Sequence, residues 1–546
     1  MDGSTRESPA TPITETEVLI VGAGPTGLML GCELRTRGVD CLLVERGQEI
    51  DPRTRAVMVH AASLERFEAL GLREQLEARG ITQLRIGFHA LGRSWALDFT
   101  DQDTSFPYYL NVPQPEVEAI LADAYRDLGG HLVRGVRYEE HREQGGQVVA
   151  RLRSETGADD RTVAARWLVG ADGSSSSVRG GLGVAFDGVT YPMSYLLAEG
   201  EPVAEPSRDE SAMYIGARGA VSLLPMPDGT VRVAGPVARQ LLDRDAALEF
   251  DEFQNIVDAL GFGDRLRLAR VDRLAHYQVH ERLAERFRVG RVLLAGDAAH
   301  LNSPAGGQAM NTGFADATAL AWRLARLTRS VDGVPALLDD YARERRAAAA
   351  EVARSTGVLP LLDAMRGASA DGVEHAGTTG ADGSGMHAVA AAERTVREGL
   401  ARLADAWSQL YLTYPRPAED DANARAVLGD RDTHRLRVGA RVPMHAPDPH
   451  RFTLLLPPTP SASDVPGAAA AGLPPDTVIA RQSPRQAAFL SRPAAVLVRP
   501  DGHVAAVLDP DGTGPHRARE IGLDTMGAGM DAANTSGLDI SGGVAV

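Results

Sequence analysis

Three carboxylates carry the chemical interest of this chain, each at or just beyond the end of an apolar run and among small residues. Glu45 follows CLLV, Asp172 sits in Gly170-Ala171-Asp172-Gly173 after WLV, and Asp297 follows Gly296 after VLLA. A carboxylate at the end of a buried strand is placed to accept hydrogen bonds from hydroxyl groups, and sugar hydroxyls are the common partners in such positions. Each also has a purely structural reading. An Asp in a tight turn can spend its oxygens on nearby backbone N–H groups, and Asp172 fits such an Asx turn.

The elements around these acids narrow the choice. Residues 17–21 (EVLIV) form a buried strand, Gly22-Ala23-Gly24-Pro25-Thr26-Gly27 follows at once, and a helix carries Leu28, Leu30 and Leu34 to Gly38. The next strand, 41–44, runs into Glu45 and Arg46. Strand, glycine loop, helix, strand and acid form the dinucleotide fingerprint in its required order. Gly22 makes the turn, Gly24 admits a pyrophosphate, Gly27 lets the helix pack closely, and Glu45 takes ribose hydroxyls. The stretch 291–327 repeats the strand–loop–helix plan, with Pro304, Gly306, Gly307, Ala309 and Met310 in the loop and a helix from about Asn311. A helix N-terminus favours an anion or an electron-rich ring edge. Reduced flavin offers such an edge, Gly306 and Gly307 leave room for a flat ligand, and Asp297 can accept from a sugar-alcohol hydroxyl. Which dinucleotide the first loop takes stays open on these residues alone, while the second loop suits the edge of a flavin ring. No second GxGxxG occurs, so nicotinamide is expected to bind transiently.

The 291–327 stretch resembles the GD motif of the class A flavoprotein monooxygenases, the family of p-hydroxybenzoate hydroxylase, phenol hydroxylase and the aromatic polyketide hydroxylases. The resemblance extends over roughly residues 15–520. It implies that Asp297 holds the FAD ribitol and that the helix N-terminus faces the flavin pyrimidine edge. Arg55-Ala56 matches the family pair that contacts the FAD phosphate or flavin region. Gln114, ahead of Pro115, matches the Gln placed against the flavin ring, and Asp172 matches the DG acid that helps nicotinamide engage. Three positions depart: Ala309 stands where the family has Gly, Ala62 where relatives carry Arg, and Ser175 where they have a larger polar residue. The implied activity is hydroxylation of a phenolic or polycyclic aromatic compound. NADPH or NADH reduces non-covalent FAD, O2 adds at C4a, and the C4a-hydroperoxyflavin delivers oxygen to an electron-rich carbon. Baeyer–Villiger insertion or epoxidation on the same scaffold, and a non-catalytic flavin-binding regulatory protein, remain open.

Composition removes other classes. The chain has 546 residues, a net charge of -16 from 57 basic and 73 acidic residues, and no lysine. The charge speaks against nucleic acid and anionic membrane surfaces as partners. Without lysine there is no Schiff base, no P-loop and no catalytic lysine of a flavin-dependent halogenase. The four tryptophans also contain no Trp-x-Trp pair. Cys32 and Cys41 cannot build a disulfide framework or metal cluster and read as buried small residues in a reducing compartment. No apolar signal segment opens the chain and no run reaches the ~20 apolar residues of a membrane span, so a cytoplasmic location is expected.

The expected fold is α/β: a Rossmann-like FAD-binding domain in three pieces (15–83, 111–183 and 271–350) with an antiparallel-sheet substrate domain inserted (84–110 and 184–270). A helical segment (351–430), a thioredoxin-like C-terminal domain without thiols (431–521) and a disordered tail (522–546) follow. The residues 184–270 read as short strands with turns. Tyr191, Tyr195, Tyr214, His276 and Tyr277 are candidates to line a substrate site, and no catalytic base is assigned. Residues 366–387 read as a Gly/Ala/Ser/Thr loop before a helix near 391–411. His445, Asp448 and His450 read as part of a Pro-rich loop, so no metal is expected. A monomer or homodimer with a small aromatic substrate completes the expectation.

Overall fold

The computed structural model describes residues 13–90, 92–155, 160–216, 219–237, 248–329, 336–355, 384–410, 412–414, 427–428, 442, 451–456, 477–481 and 495–508. The first sheet is ordered Arg288–Val289, Val292–Leu294, Arg161–Gly170, Ile13–Val21, Cys41–Glu45, His131–Arg134. Its central pairings are parallel. Strands buried on both faces need continuous apolar runs, and Val18, Leu19, Ile20, Leu293 and Leu294 are fully buried. The register explains why the three acids meet: Val21 is level with Val44 and Gly170, and Gly170 is level with Leu294. The residues that follow therefore leave the sheet along one edge, the carboxyl ends of parallel strands, where open α/β sheets bind their ligands. A hairpin, Val136–Gln144 with Gln147–Ser154, extends this sheet through Arg161–Gly170 and was not foreseen from the sequence pattern.

Helix Pro25–Thr36 lies against helix Gln308–Arg329, and helix Gln114–Asp127 packs on its other flank. The contact is close because Gly31 faces the Tyr125 ring, where an added Cβ would come within 2.9 Å. Cys32 and Cys41 are buried and unpaired in this layer; burial pushes the Cys41 thiol up to about 11.

The second sheet is ordered His300–Leu301, Leu268–Ala284, Phe186–Pro202, Val231–Val237, Gly219–Pro225, Glu210–Gly216, Arg85–Ala90, Arg93–Asp98. It is antiparallel except where Glu210–Gly216 meets Arg85–Ala90. One face packs on helix Phe250–Ala259, whose Phe253, Ile256 and Val257 bury Leu196, Ala198, Val221 and Val233. The other face sets Ile86, Phe88 and Met213 against Phe99, Tyr109, Leu400, Leu403 and Trp407. Two expectations are corrected here. Residues 184–270 are not strands alone: apolar residues at i, i+3 and i+4 form the helical stripe of Phe250–Ala259, and the short helix Gly263–Leu266 follows. The expected boundary at 270/271 falls inside strand Leu268–Ala284, which pairs with Phe186–Pro202 along its length.

Helix Ser384–Ser408 begins inside the stretch read as a loop to 387 and contacts strand Arg93–Asp98. A four-stranded sheet, Val478–Arg481, Thr453–Leu456, Ala495–Val498, Val504–Leu508, lies toward the carboxyl end. The turn joining its last two strands docks on the first layer. Trp322 Nε1 donates to Asp501 at 3.1 Å, while Arg323 and Arg499 share Glu344 at 2.7 and 2.9 Å. His445, Asp448, His450 and residues 522–546 lie outside the described residues. Among the described residues no helix is long and apolar enough to cross a membrane.

Candidate cofactor and active site

A cavity of about 460 Å³ opens at the carboxyl ends of the first sheet. Gly22, Gly24, Pro25, Thr26, Glu45, Arg46, Arg55, Gln114, Asp172, Asp297, Ala309 and Met310 all line it, so twelve expected residues share one wall. The fingerprint glycines divide their work as their spacing requires. Gly22 has φ +106°, and a Cβ there would collide with Ala171, where the loops after two neighbouring strands touch. Gly27 is not in the wall; a Cβ would strike the Gly22 carbonyl oxygen. Around Gly24 a Cβ would meet nothing within 4 Å, which leaves open space beside the start of the helix. That helix has no side-chain cap and no acid in its first turn, so its first N–H groups are available to an anion. Thr26 fastens this loop to the Asp297 loop: a Cβ on either Gly296 or Gly313 would collide with its hydroxyl oxygen.

Glu45 accepts from Ala23 N at 2.8 Å through one oxygen and from Gly47 N at 2.9 Å through the other. Each carboxylate oxygen has a second lone pair for a hydroxyl. Five arginines, Arg46, Arg53, Arg55, Arg134 and Arg137, line the same cavity, and of these Arg53, Arg134 and Arg137 are contributions the sequence reading did not assign. Asp51 accepts from the Arg53 side chain at 2.8, 3.1 and 2.7 Å, from Arg53 N at 3.1 Å and from Arg55 at 3.0 Å. The Arg53 hydrogen bond holds the Asp51 carboxyl well below the usual range. Gln114 accepts from Ala56 N at 3.1 Å and donates to Glu118 at 2.8 Å, which ties the Arg55-Ala56 pair to a helix start. Burial raises the Glu118 carboxyl despite the Gln114 bond.

Asp172 lines the cavity, and its oxygens accept from the Ser176 hydroxyl at 2.5 Å, Ser177 N at 2.7 Å and Val178 N at 3.2 Å. It therefore caps helix Ser177–Gly181, and burial nevertheless raises its pKa. Asp297 differs. It is open toward the cavity but surrounded by protein mass, and desolvation raises its pKa against the pull of His300 and Arg55. Its carboxylate is free of the caps that occupy Asp172, which fits acceptance from, or donation to, a sugar hydroxyl.

The loop before helix Gln308–Arg329 corrects an expectation. Gly306 and Gly307 have φ of +70° and +63° and do not line the cavity. A Cβ on Gly306 would collide with the Trp407 ring, and one on Gly307 would lie 2.7 Å from Met58 Cβ, so protein fills the room assigned to a flat ligand. Pro304 only leads into this turn. Asn311 is buried behind the wall: it accepts from His60 N and the Ser63 hydroxyl and donates to Met58 O and Gly307 O. Ala309 sits in the helix's first turn, where a Cβ is at home. The sequence reading also missed Asp316, which accepts from Gly296 N at 2.9 Å, His300 Nε2 at 2.7 Å and Arg345 Nε at 2.6 Å. Burial would raise this carboxyl, but Arg345 and His300 bring it below the usual value. A helical Asp thus fixes the turn that presents Asp297.

The tyrosine candidates separate by strand parity. Tyr195 and Tyr277 are level across two strands with ring centroids 5.3 Å apart, on the face that also carries Leu197, Glu199 and Arg232. Burial raises both phenols, opposed at Tyr195 by Arg232 and at Tyr277 by Arg232 and Arg273. His276 is level with Leu196 and lies on the opposite face, and Tyr214 stacks on His89 at 4.8 Å within the cluster covered by helix Phe250–Ala259. Those two are removed from the face toward the cofactor domain. Tyr191 is exposed and donates to Glu281 at 2.9 Å.

A dinucleotide fits what these residues offer: open space at Gly24, an uncapped helix start, acids at three strand ends and a rim of arginines. A family model described as an FAD binding domain matches residues 15–356. Rifampicin monooxygenase of Streptomyces venezuelae is 38% identical over 345 residues, covering 62% of this chain and 70% of that one. The 12-dehydrotetracycline 5-monooxygenase/anhydrotetracycline 6-monooxygenase of Streptomyces rimosus is 37% identical, covering 63% and 69%. Among solved structures, the anhydrotetracycline hydroxylase OxyS from Streptomyces rimosus superposes with a TM-score of 0.68 at 29% identity over 93% of this chain and 99% of that chain. The Diels-Alderase PyrE3 of pyrroindomycin biosynthesis gives 0.65 at 27% identity over 91% and 97%. The chain belongs to the family defined by this FAD binding domain and is an FAD-dependent monooxygenase.

Proposed function

We propose that this protein hydroxylates a phenolic or polycyclic aromatic substrate, consuming NADPH or NADH and O2. The observation that carries the reading is the meeting of the two sequence-distant loops, Gly22–Gly27 and Gly296–Asp297, in one cavity. Tyr195 and Tyr277 do not line that cavity, and their face of the second sheet meets its loop 51–56 through Arg232 and Arg273. Bound FAD supplies the electron transfer from nicotinamide and the activation of O2. The first helix start and Gly24 receive the pyrophosphate, Glu45 the ribose and Asp297 the ribitol. Ala309 and Met310 bring the second helix start to the ring edge, and Gln114 positions the Arg55-Ala56 pair. The paired tyrosines offer aromatic faces to a flat substrate, and their sheet closes the site from water. The domain division expected from the sequence, with the substrate boundary moved to the end of strand Leu268–Ala284, a thioredoxin-like C-terminal unit, a cytoplasmic location and a monomeric or dimeric state belong to the same proposal.

Relatives whose names state rifampicin, tetracycline precursors and pentachlorophenol as substrates define the first panel to test. A second reading, use of the scaffold without oxygen insertion, has a specific motive in the structural neighbour named as a Diels-Alderase. Purified flavoprotein is mixed with NADPH or NADH and rifampicin, anhydrotetracycline, pentachlorophenol or a series of hydroxyanthraquinones, and nicotinamide oxidation, peroxide and product mass are followed. Stimulated oxidation with one added oxygen and little peroxide is expected. The position of that oxygen separates hydroxylation from Baeyer–Villiger insertion and epoxidation. Product formation without nicotinamide consumption would replace this reading by the second.

A further inference from the structure

The face that carries Tyr195 and Tyr277 ends in a buried charge that no aromatic substrate requires. Arg232, on strand Val231–Val237, is 4% exposed. It is level with Glu199 and donates to it through Nε at 2.9 Å. Nη2 also lies 2.8 Å from Glu199 Oε1, and both terminal nitrogens reach out of the sheet, Nη1 to Arg55 O at 3.1 Å and Nη2 to Thr54 O. Arg273, also level with Glu199, donates to the same Thr54 oxygen at 2.9 Å. Three hydrogen bonds thus run from two guanidinium groups of the substrate-side sheet to two backbone carbonyls of loop 51–56.

That loop is part of the cavity wall through Asp51, Arg53, Arg55 and Ala56, and it contains no helix or strand. It is held from the other side by Gln114, which accepts from Ala56 N, while its own Asp51 gathers Arg53 and Arg55. Burying a guanidinium is costly, and a carboxylate and carbonyl acceptors do little more than offset that cost. Net stability is thus a weak reason for placing Arg232 here. A planar fork with five donors is suited to fixing a geometry, because it can hold a carboxylate and two carbonyls at once. Glu199 orients the fork, and the fork orients the loop.

We propose that Arg232, oriented by Glu199 and assisted by Arg273, is a positioning residue that latches the substrate-side sheet to loop 51–56 and thereby sets Arg53 and Arg55 at the rim of the cofactor cavity. The latch lies at one end of the sheet face and the tyrosine pair at the other, with Leu197 level with Ala234 between them. A ligand that moves this face moves the loop. The inference rests on the FAD reading of the cavity only for what the loop positions; the latch itself is a property of the polypeptide.

Hydrogen exchange of the apoprotein tests it directly. In Arg232→Gln the amides of Arg53 and Ala56 are expected to exchange at least about tenfold faster than in the parent, because Arg55 O loses its donor and Thr54 O keeps only Arg273. Strands Phe186–Pro202 and Val231–Val237 should keep their protection. Arg273→Gln, at a half-buried position, should show a smaller change of the same pattern, and Arg232→Lys should restore part of it. FAD titration of the same proteins by fluorescence is expected to show affinity weakened about tenfold in Arg232→Gln and partly recovered in Arg232→Lys. Unchanged exchange in loop 51–56 overturns the latch. Equal acceleration across the whole second sheet also overturns it, since that reports general destabilisation. If Arg232→Gln does not fold, the Arg273→Gln and Arg232→Lys measurements decide by the same criteria. A parent protein that oxidises no nicotinamide would sink the proposed activity while leaving these exchange results to stand or fall alone.

Discussion

Gly24 and Gly306 both stand just before a helix that points into the cavity, yet a Cβ would meet opposite surroundings. At Gly24 it would find nothing within 4 Å, and at Gly306 it would enter the Trp407 ring. The first glycine keeps space for a ligand and the second gives space to the protein. Residue type and motif position are alike in the two loops, and the distinction comes from what a distant helix does. Ser384–Ser408 brings Trp407 over the second loop, while among the described residues nothing comes within 4 Å of a Cβ on Gly24 in the first. Glycine is required at both for different physical reasons, and substitution separates them.

The largest effect is expected at Gly27, where the crowding is backbone on backbone. Alanine there would collide with the Gly22 carbonyl oxygen, and neither partner can rotate away. A cost above about 3 kcal/mol is expected, beyond the usual range for an added methyl in a packed site. The Gly27→Ala protein should purify without flavin and with a clearly lowered Tm. A yellow variant with the parent's Tm would remove close helix packing as the reason for this glycine.

The crowded loop also carries an acid sensitivity that the open loop lacks. His60 is 1% exposed and donates from Nε2 to Gly306 O at 2.7 Å, with Nδ1 unpartnered among the described residues. Burial lowers its pKa to about 4, with the Gly306 bond opposing. The folded state thus resists a proton that the unfolded chain takes up near 6.5. Stability is full above that value and falls as pH drops from about 6.5 toward 4, by up to roughly 3 kcal/mol once both states are protonated. Denaturant unfolding between pH 7 and pH 4 should show this slope, and His60→Gln should flatten it. An unchanged slope would assign the acid loss to other groups.

Much of this site is legible in the sequence because its determinants are local. Apolar runs ending in Gly22, Glu45, Gly170 and Gly296 predict strands whose ends align, and the register puts Val21, Val44, Gly170 and Leu294 on one line. The role of Gly27 follows from the fingerprint because its crowding partner, the Gly22 carbonyl, is local, whereas Gly22 is crowded by Ala171, which the strand register and not the local sequence brings beside it. What escapes is set by partners far along the chain. Asp316 reads as one more polar residue in an amphipathic helix, yet it holds Gly296 N and Arg345. Trp407, Met58 and Arg232 give no local sign that they fill or tie a cavity loop. The tyrosines show a third limit. Period-2 alternation separates Leu196 and His276 from Tyr195 and Tyr277, but only the helix Phe250–Ala259 settles which face is covered, and that helix was read as strands and turns.

Gly306→Ala sharpens the comparison at intermediate cost. It combines a left-handed backbone with φ +70° and a collision with a flat ring. About 1–3 kcal/mol of destabilisation is expected. In a Trp407→Leu background the increment should shrink to roughly 1 kcal/mol, the part owed to backbone alone. Equal increments in both backgrounds, measured by denaturant midpoints, would show that Trp407 is not what requires a glycine.

Gly24→Ala gives the smallest change in stability and the cleanest separation. Gly24 has φ -76° and ψ -177°, an extended conformation open to any residue. A methyl there meets no atom within 4 Å, so the apoprotein should unfold within about 1 kcal/mol of the parent, the difference expected for a changed helix N-cap. The same methyl stands where a pyrophosphate approaches the helix start, and steric exclusion there should weaken FAD about tenfold or more. Thermal unfolding of the apoprotein and fluorescence titration with FAD read the two quantities independently. Unchanged FAD affinity would move the pyrophosphate away from Gly24. A destabilised apoprotein would mean that the first loop is crowded like the second, and the contrast between them would then rest on the ligand's position alone.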